Sequence, residues 1–203
     1  DYCRCGSLRS YIFKGNESTG NELTGNRLTE AELREVASCL VLGLAYLHSK
    51  HVFHRVSSGE WNECIGYQTI ELSDINNGLI QLADFGISEQ LNHSWSRRTG
   101  QKGTHCYNSP EMYDEKGAGL KSDIWALGIT LIELAERRNP YEDCTSPLDI
   151  MNHIRNDEPP SLSSSKWSFP FVDFISKCLV KDENARWNAR DLMGVRSSSL
   201  SNE

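Results

Sequence analysis

The stretch from Asp123 to Ala135 is apolar nearly all the way round, so a helix built from it has no face to give to water. Such a helix belongs in the middle of a core, and the rest of the chain must supply elements to surround it. Its longest nearly unbroken apolar run, Ile124 to Ile132, is nine residues long and interrupted by Thr130. That is well short of the roughly 20 residues needed to cross a bilayer. The chain is therefore expected to fold around this helix rather than pass it through a membrane.

The surrounding pieces can be read from spacing. Thr29 with Glu32 three residues on has the pattern of a capping box, and Leu33, Val36, Ala37, Leu40, Leu44 and Leu47 follow at helical intervals. This predicts an amphipathic helix over residues 30–49. Val52-Phe53 reads as a short extended piece. Leu79 to Leu82 alternates apolar and polar after the turn residues Asn76-Asn77-Gly78, which suggests a small β-hairpin ending at Ala83-Asp84. Ser122 is expected to cap the central helix. Ser146-Pro147 opens another helix running through Ile154, with the proline where no amide is needed. Phe171, Phe174, Ile175, Cys178 and Leu179 predict a further helix, and Asn188 caps a last one through Met193. Ser7 to Phe13 allows one or two helical turns, residues 15–28 read as a polar surface loop, and residues 194–203 read as a disordered Ser-rich tail. The fold class is mainly α, with a small β element.

Charge and cysteine usage narrow the function classes. Lys and Arg total 21 against 28 Asp and Glu, a formal charge of −7, and no Lys/Arg stripe runs along the chain. A nucleic-acid partner is not expected. Arg97-Arg98 is the notable basic pair and reads as a solvated loop. The seven cysteines never form a C-x-x-C pair, so they read as scattered reduced thiols in an intracellular, cytoplasmic protein rather than as a disulfide scaffold or a zinc site. Residues 1–10 lack the apolar stretch of a signal peptide.

Several short motifs occur in a fixed order. Asp84-Phe85-Gly86 is followed 25 residues after Asp84 by Ser109-Pro110-Glu111, then by the run from Ser122 to Thr130, and finally by Arg186. Each triplet alone is weak, but the order and spacing together resemble the C-terminal lobe of a eukaryotic protein kinase. The wording around residues 82–88, Gly103-Thr104 and 127–134 is similar to the group holding the sterile-20-like kinases and the MAP kinase kinases. Asp1-Tyr2-Cys3 resembles the inter-lobe hinge. The resemblance covers residues 1–193 as a helical lower lobe with a small hairpin, an α+β family member.

That resemblance implies ATP and Mg as cofactors and a protein carrying Ser or Thr as substrate. Asp84 would ligate Mg. The backbone of Asp1 and Cys3 would meet adenine, and Phe85 and His54 would stack in the column joining the lobes, with Gly86 completing the motif. Thr104 would sit in the loop receiving the substrate residue. Glu111 and Arg186 would form a buried ion pair tying that loop to the helical base, and Asp123 would anchor the catalytic-loop backbone. Thr99 is the best activation-loop phosphosite candidate, with Ser94 and Ser96 behind it, and its phosphate would pair with Arg55; the plainer reading is a solvated loop hydroxyl.

The pattern breaks at the catalytic loop. His54-Arg55 should be followed by Asp, with Lys two residues and Asn five residues beyond that Asp. The chain has Val56, Ser58 and Trp61 at those places. Counting back 18 residues from Asp84, the usual separation, gives Gly66, Gln68 and Glu71 instead. From either anchor the base, the phosphate-contacting cation and the second metal ligand are missing. The stretch Val56 to Ile70 is either an insertion or translated intron. No glycine-rich phosphate loop, third-strand Lys or partner Glu precedes Asp1, so the chain is expected to be a lower lobe cut at the hinge. Two readings remain: a Ser/Thr kinase fragment or imperfect gene model whose own catalysis is absent or severely impaired, and a pseudokinase-like interaction module docking a protein partner around Leu148 to Ile154. Self-association through an exposed upper face is expected in a lone lobe.

Overall fold

In the computed structural model, which describes residues 27–54, 65–68, 79–82, 88–93, 97, 105–114 and 117–199, the predicted capping box forms. The Thr29 amide donates to Glu32 Oε2 at 2.5 Å, and the Glu32 amide donates back to Thr29 Oγ1 at 3.3 Å. Two amides that the helix cannot satisfy internally are thereby paired. Helix α1, Glu30–Ser49, buries Leu33, Val36, Ala37, Leu40, Val41 and Leu44 on one face.

The central helix α2, Lys121–Glu136, is buried at every position from Ser122 to Ala135. Each large aliphatic side chain here gains about 1.5–3 kcal/mol by leaving water, which is why a helix lacking a polar face is stable only in this place. It begins two residues earlier than expected. Leu120 is its N-cap, and Ser122, read from sequence as the cap, lies inside the first turn with its hydroxyl engaged elsewhere. The helix ends at Arg137 in the left-handed region, φ 57°.

Around it stand α3, Pro147–Asn156; α4, Phe169–Cys178; and α5, Ala189–Ser199. Ser146 and Ser168 cap α3 and α4 by accepting the amides of Asp149 and Phe171. Asn188 Oδ1 accepts from the amides of Arg190 and Asp191, and the Asp191 carboxylate accepts from the Asn188 amide, so α5 starts where the sequence indicated. Its backbone continues to Ser199, past the helix end expected at Met193. α1 packs against α2 and α5, and α4 packs against α2. The α2–α4 approach depends on Gly128, because a Cβ there would lie 2.7 Å from Leu179 Cγ and 2.9 Å from Cys178 Cβ. Glu30 ties the layers at the surface by accepting the amide and hydroxyl of Ser168.

The strands are short. β1, Val52–Phe53, pairs antiparallel with β4, Glu89–Gln90, with Val52 opposite Gln90. β2, Ile65–Gln68, pairs antiparallel with β3, Leu79–Leu82, with Ile65 opposite Leu82 and Gln68 opposite Leu79. The hairpin expected at Leu79 to Leu82 is therefore present, and its first strand comes from the stretch that breaks the catalytic-loop pattern. Among the described residues no helix is long and apolar enough to cross a membrane. The predicted turns at Ser7 to Phe13 and most of the polar loop at 15–28 lie outside the described residues.

Candidate functional site

Asp123 sits in the first turn of α2, at the point where the chain leaves β1. Its carboxylate is 1% exposed. Asp123 Oδ2 accepts the backbone N–H of His54 at 3.0 Å and lies 2.9 Å from His48 Nε2. The His54 carbonyl in turn accepts the Ser88 hydroxyl at 3.1 Å. The backbone at His54, itself fully buried, is thus held from both its donor and its acceptor side. Hydrogen bonds to an ionised carboxylate are about twice as strong as neutral ones, so this is a firm attachment for the segment that follows.

A second buried cluster joins distant parts of the chain. The Pro110–Tyr113 turn of 3₁₀ helix carries Glu111 inward. Arg186 Nη1 and Nη2 donate to Glu111 Oε1 and Oε2 at 2.6 and 2.9 Å, a bidentate pair closed to solvent. The remaining guanidinium hydrogens go to the carbonyls of Val180, Lys121 and Lys181, and the ring of Trp125 lies 5.2 Å beneath the guanidinium. Ser122 Oγ donates to Glu111 Oε1 at 2.8 Å and accepts from Ser109 Oγ. Burial pushes the Glu111 carboxyl up, but the hydrogen bonds and charge of Arg186, with help from Ser122, outweigh it and hold the group below its ordinary value. Nearby, Tyr107 donates to Glu133 Oε2 at 2.5 Å, and Asn139 Nδ2 donates to the same oxygen at 3.0 Å.

Of the residues singled out from sequence, the structure brings together Glu111 with Arg186 and His54 with Asp123. Asp1, Cys3, Arg55, Val56, Asp84, Phe85, Gly86, Ser94, Ser96, Thr99 and Thr104 lie outside the described residues. Sequence reading missed the role of Ser122 as a partner of Glu111, and it missed the contacts of Arg97. Arg97 is an exposed loop residue as expected, and it also donates to the Gly117 carbonyl at 2.9 Å and pairs with Glu183 at 2.5 Å. Its arginine neighbour Arg98 gave no clue to this, because the partner acid is 86 positions away.

The frame therefore comprises a helical base, a short turn locked to it by an ion pair, and a β1 exit pinned to the central helix. A family profile described as "Protein kinase domain" matches residues 1–196. Among curated relatives, the chain is 34% identical over 194 residues to Serine/threonine-protein kinase pakF of Dictyostelium discoideum and 33% identical over 197 residues to Serine/threonine-protein kinase hippo of Drosophila melanogaster, covering 95% of this chain in both cases. It is 40% identical over 152 residues to Serine/threonine-protein kinase dst1 of Dictyostelium discoideum, covering 74% of this chain. The chain spans 15%, 26% and 19% of the lengths of those three proteins. With its motif order, its helical lower-lobe frame and a profile match over nearly its whole length, this chain belongs to the protein kinase domain family.

Proposed function

We propose that this chain is lower-lobe material of a protein serine/threonine kinase, and that as written it does not catalyse phosphoryl transfer at a useful rate. One observation carries the reading. The backbone of His54 is anchored to Asp123, so the chain enters the catalytic loop from a fixed point, and the second residue onward is Val56 rather than an aspartate. A valine cannot accept the proton of a substrate hydroxyl, and losing a positioned base removes about 10²–10⁴ in rate. Ser58 and Trp61, or Gln68 and Glu71 counted from Asp84, stand where a cation and a second metal ligand are needed. Those losses attack the electrostatic contribution, usually the largest one.

Mg-ATP is the cofactor the family uses, and when bound it supplies the phosphoryl group and the charge that neutralises it. Asp84 offers one hard carboxylate to Mg, and the backbone of Asp1 and Cys3 would serve adenine. The rest of the donor set does not fit, since neither Ser nor Gln carries the cation's charge and Trp61 is no ligand for a hard ion. Glu71 is a carboxylate but lies outside the spacing counted from His54. Glu111 with Arg186 would have a structural role, holding the substrate-receiving loop, containing Thr104, to the helical base, while Thr99 keeps its plainer reading as a solvated loop hydroxyl. The partners are then a protein substrate or docking protein, at an intracellular location.

The test is transfer of labelled phosphate from Mg-ATP to generic Ser/Thr substrates. No transfer above that of the Asp84→Asn variant is expected, and Val56→Asp alone should not restore it, because two further positions remain wrong. Transfer by the unmodified chain that disappears in Asp84→Asn would overturn the reading. A pseudokinase-like interaction module is the second reading, favoured by Leu148, which is 62% exposed on α3. A stoichiometric protein complex lost on Leu148→Asp would support it.

A further inference from the structure

Outside the kinase frame, the loop into α3 and the first two turns of that helix gather three side chains of unlike chemistry. Cys144, Asp149 and His153 each offer one ligand atom, and these atoms all lie within 4.8 Å of one another. Cys144 carries a free thiol and is half-buried. Asp149 and His153 are four apart, so they project from the same helix face one turn from each other. His153 Nε2 lies 3.6 Å from Asp149 Oδ1. Neighbouring ligands on a tetrahedral zinc ion at about 2.0–2.3 Å are themselves about 3.3–3.5 Å apart, so this edge is nearly formed and the thiol needs to close by about 1 Å.

The groups behind these three are arranged as a metal site requires. His153 Nδ1 is 2.5 Å from Asp157 Oδ2, so this carboxylate orients the ring and leaves Nε2 as the nitrogen on the Asp149 side. A carboxylate behind a ligating imidazole is the usual outer partner of zinc-bound histidine. Asp149 Oδ2 is taken by the Thr145 amide at 3.1 Å, leaving Oδ1 as the oxygen that faces the histidine. The loop is held as well: the Cys144 amide bonds the Tyr141 carbonyl, and Ser146 caps α3. Asp143, the remaining nearby acid, is paired with Arg138 and does not compete.

We propose that Cys144, Asp149 and His153 form a binding site for a divalent transition-metal ion, with zinc the best match, and with Asp157 positioning the histidine. Thiolate and imidazole together select zinc over magnesium or calcium, which want oxygen donors. Three protein ligands leave the fourth tetrahedral position to water or to a donor from another molecule. The site shares no residue with the kinase motifs and is independent of whether the chain transfers phosphate.

Cobalt(II) titrated into the metal-free full chain reads the site directly, because a cobalt–thiolate bond absorbs strongly in the near ultraviolet. The absorption should appear with one equivalent, be displaced by zinc, and vanish in Cys144→Ser. Asp157→Asn should weaken affinity about 10–100-fold. In parallel, zinc should protect Cys144 from alkylation, read by peptide mass spectrometry, in the parent chain and not in His153→Gln. Thermal unfolding of the metal-free Asp157→Asn and His153→Gln variants should match the parent, since both groups are exposed, and Cys144→Ser is compared at a temperature where it is folded; where one variant fails to fold, the other two carry the comparison. Cobalt–thiolate absorption that persists in Cys144→Ser, an absence of any such absorption, or equal protection of Cys144 in His153→Gln would each overturn the proposal.

Discussion

Arg186 and Glu111 show how a buried pair behaves when one half is removed. Arg186→Met should lower stability by about 3–5 kcal/mol in urea unfolding, because it strands a carboxylate that has no water to turn to. The double variant Glu111→Met/Arg186→Met should recover much of that loss, since the uncompensated charge is gone. The pH dependence has a definite sign. The folded carboxyl of Glu111 is held below its ordinary value of 4.5, so its contribution is present above that pH and is lost as pH falls from 4.5 through the lower folded value. The stability gap between the parent chain and Glu111→Gln should therefore narrow over that acid range, and a gap independent of pH would contradict the linkage. At Gly128 the argument is steric. A methyl group would press on Leu179 and Cys178, so Gly128→Ala should cost about 1–3 kcal/mol in thermal unfolding despite alanine's better helix propensity. Leu179→Ala in the same chain should relieve part of it.

Elements are held here by their ends as much as by their faces. Thr29→Ala removes the side-chain half of the cap on α1 and should cost about 1 kcal/mol, with the loss confined to fraying of residues 30–33 in amide hydrogen exchange. Asp123→Ala should act on a different element from the one that carries it. The His54 amide loses its acceptor, a penalty of about 1–3 kcal/mol, and exchange at His54 should quicken more than at α2 itself. Equal protection of His54 in parent and variant would remove Asp123 as the anchor of the β1 exit. The caps of α1, α3 and α5 were all legible because each is a contact within four residues along the chain. The start of α2 was not, since Ser122 has the chemistry of a cap and is drawn instead to Glu111, 11 residues before it.

For the whole molecule, the question is what joins segments that sequence leaves separate. Arg97 and Glu183 link the region before the Pro110–Tyr113 turn to the base beyond α4, and Glu183→Gln should speed tryptic cleavage after Arg98 while leaving global unfolding within about 1 kcal/mol of the parent. Cleavage at the parental rate would mean that the pair does not restrain the loop. Sequence alone determined the central helix, because thirteen residues without a polar face have one stable environment. It also determined the amphipathic helices, whose periodicity and caps are local, and that Val56 rather than an aspartate follows His54-Arg55, which is a matter of residue identity. Tertiary structure alone decided that the exposed Arg97 is also a tether to Glu183 and that β2 comes from the interrupted stretch. It also decided that Cys144 stands beside Asp149 and His153 while no cysteine pair marks the place. Those are meetings between residues whose partners are chosen by the packing of helices, and a linear pattern carries no information about a contact until the chain between its two ends has folded.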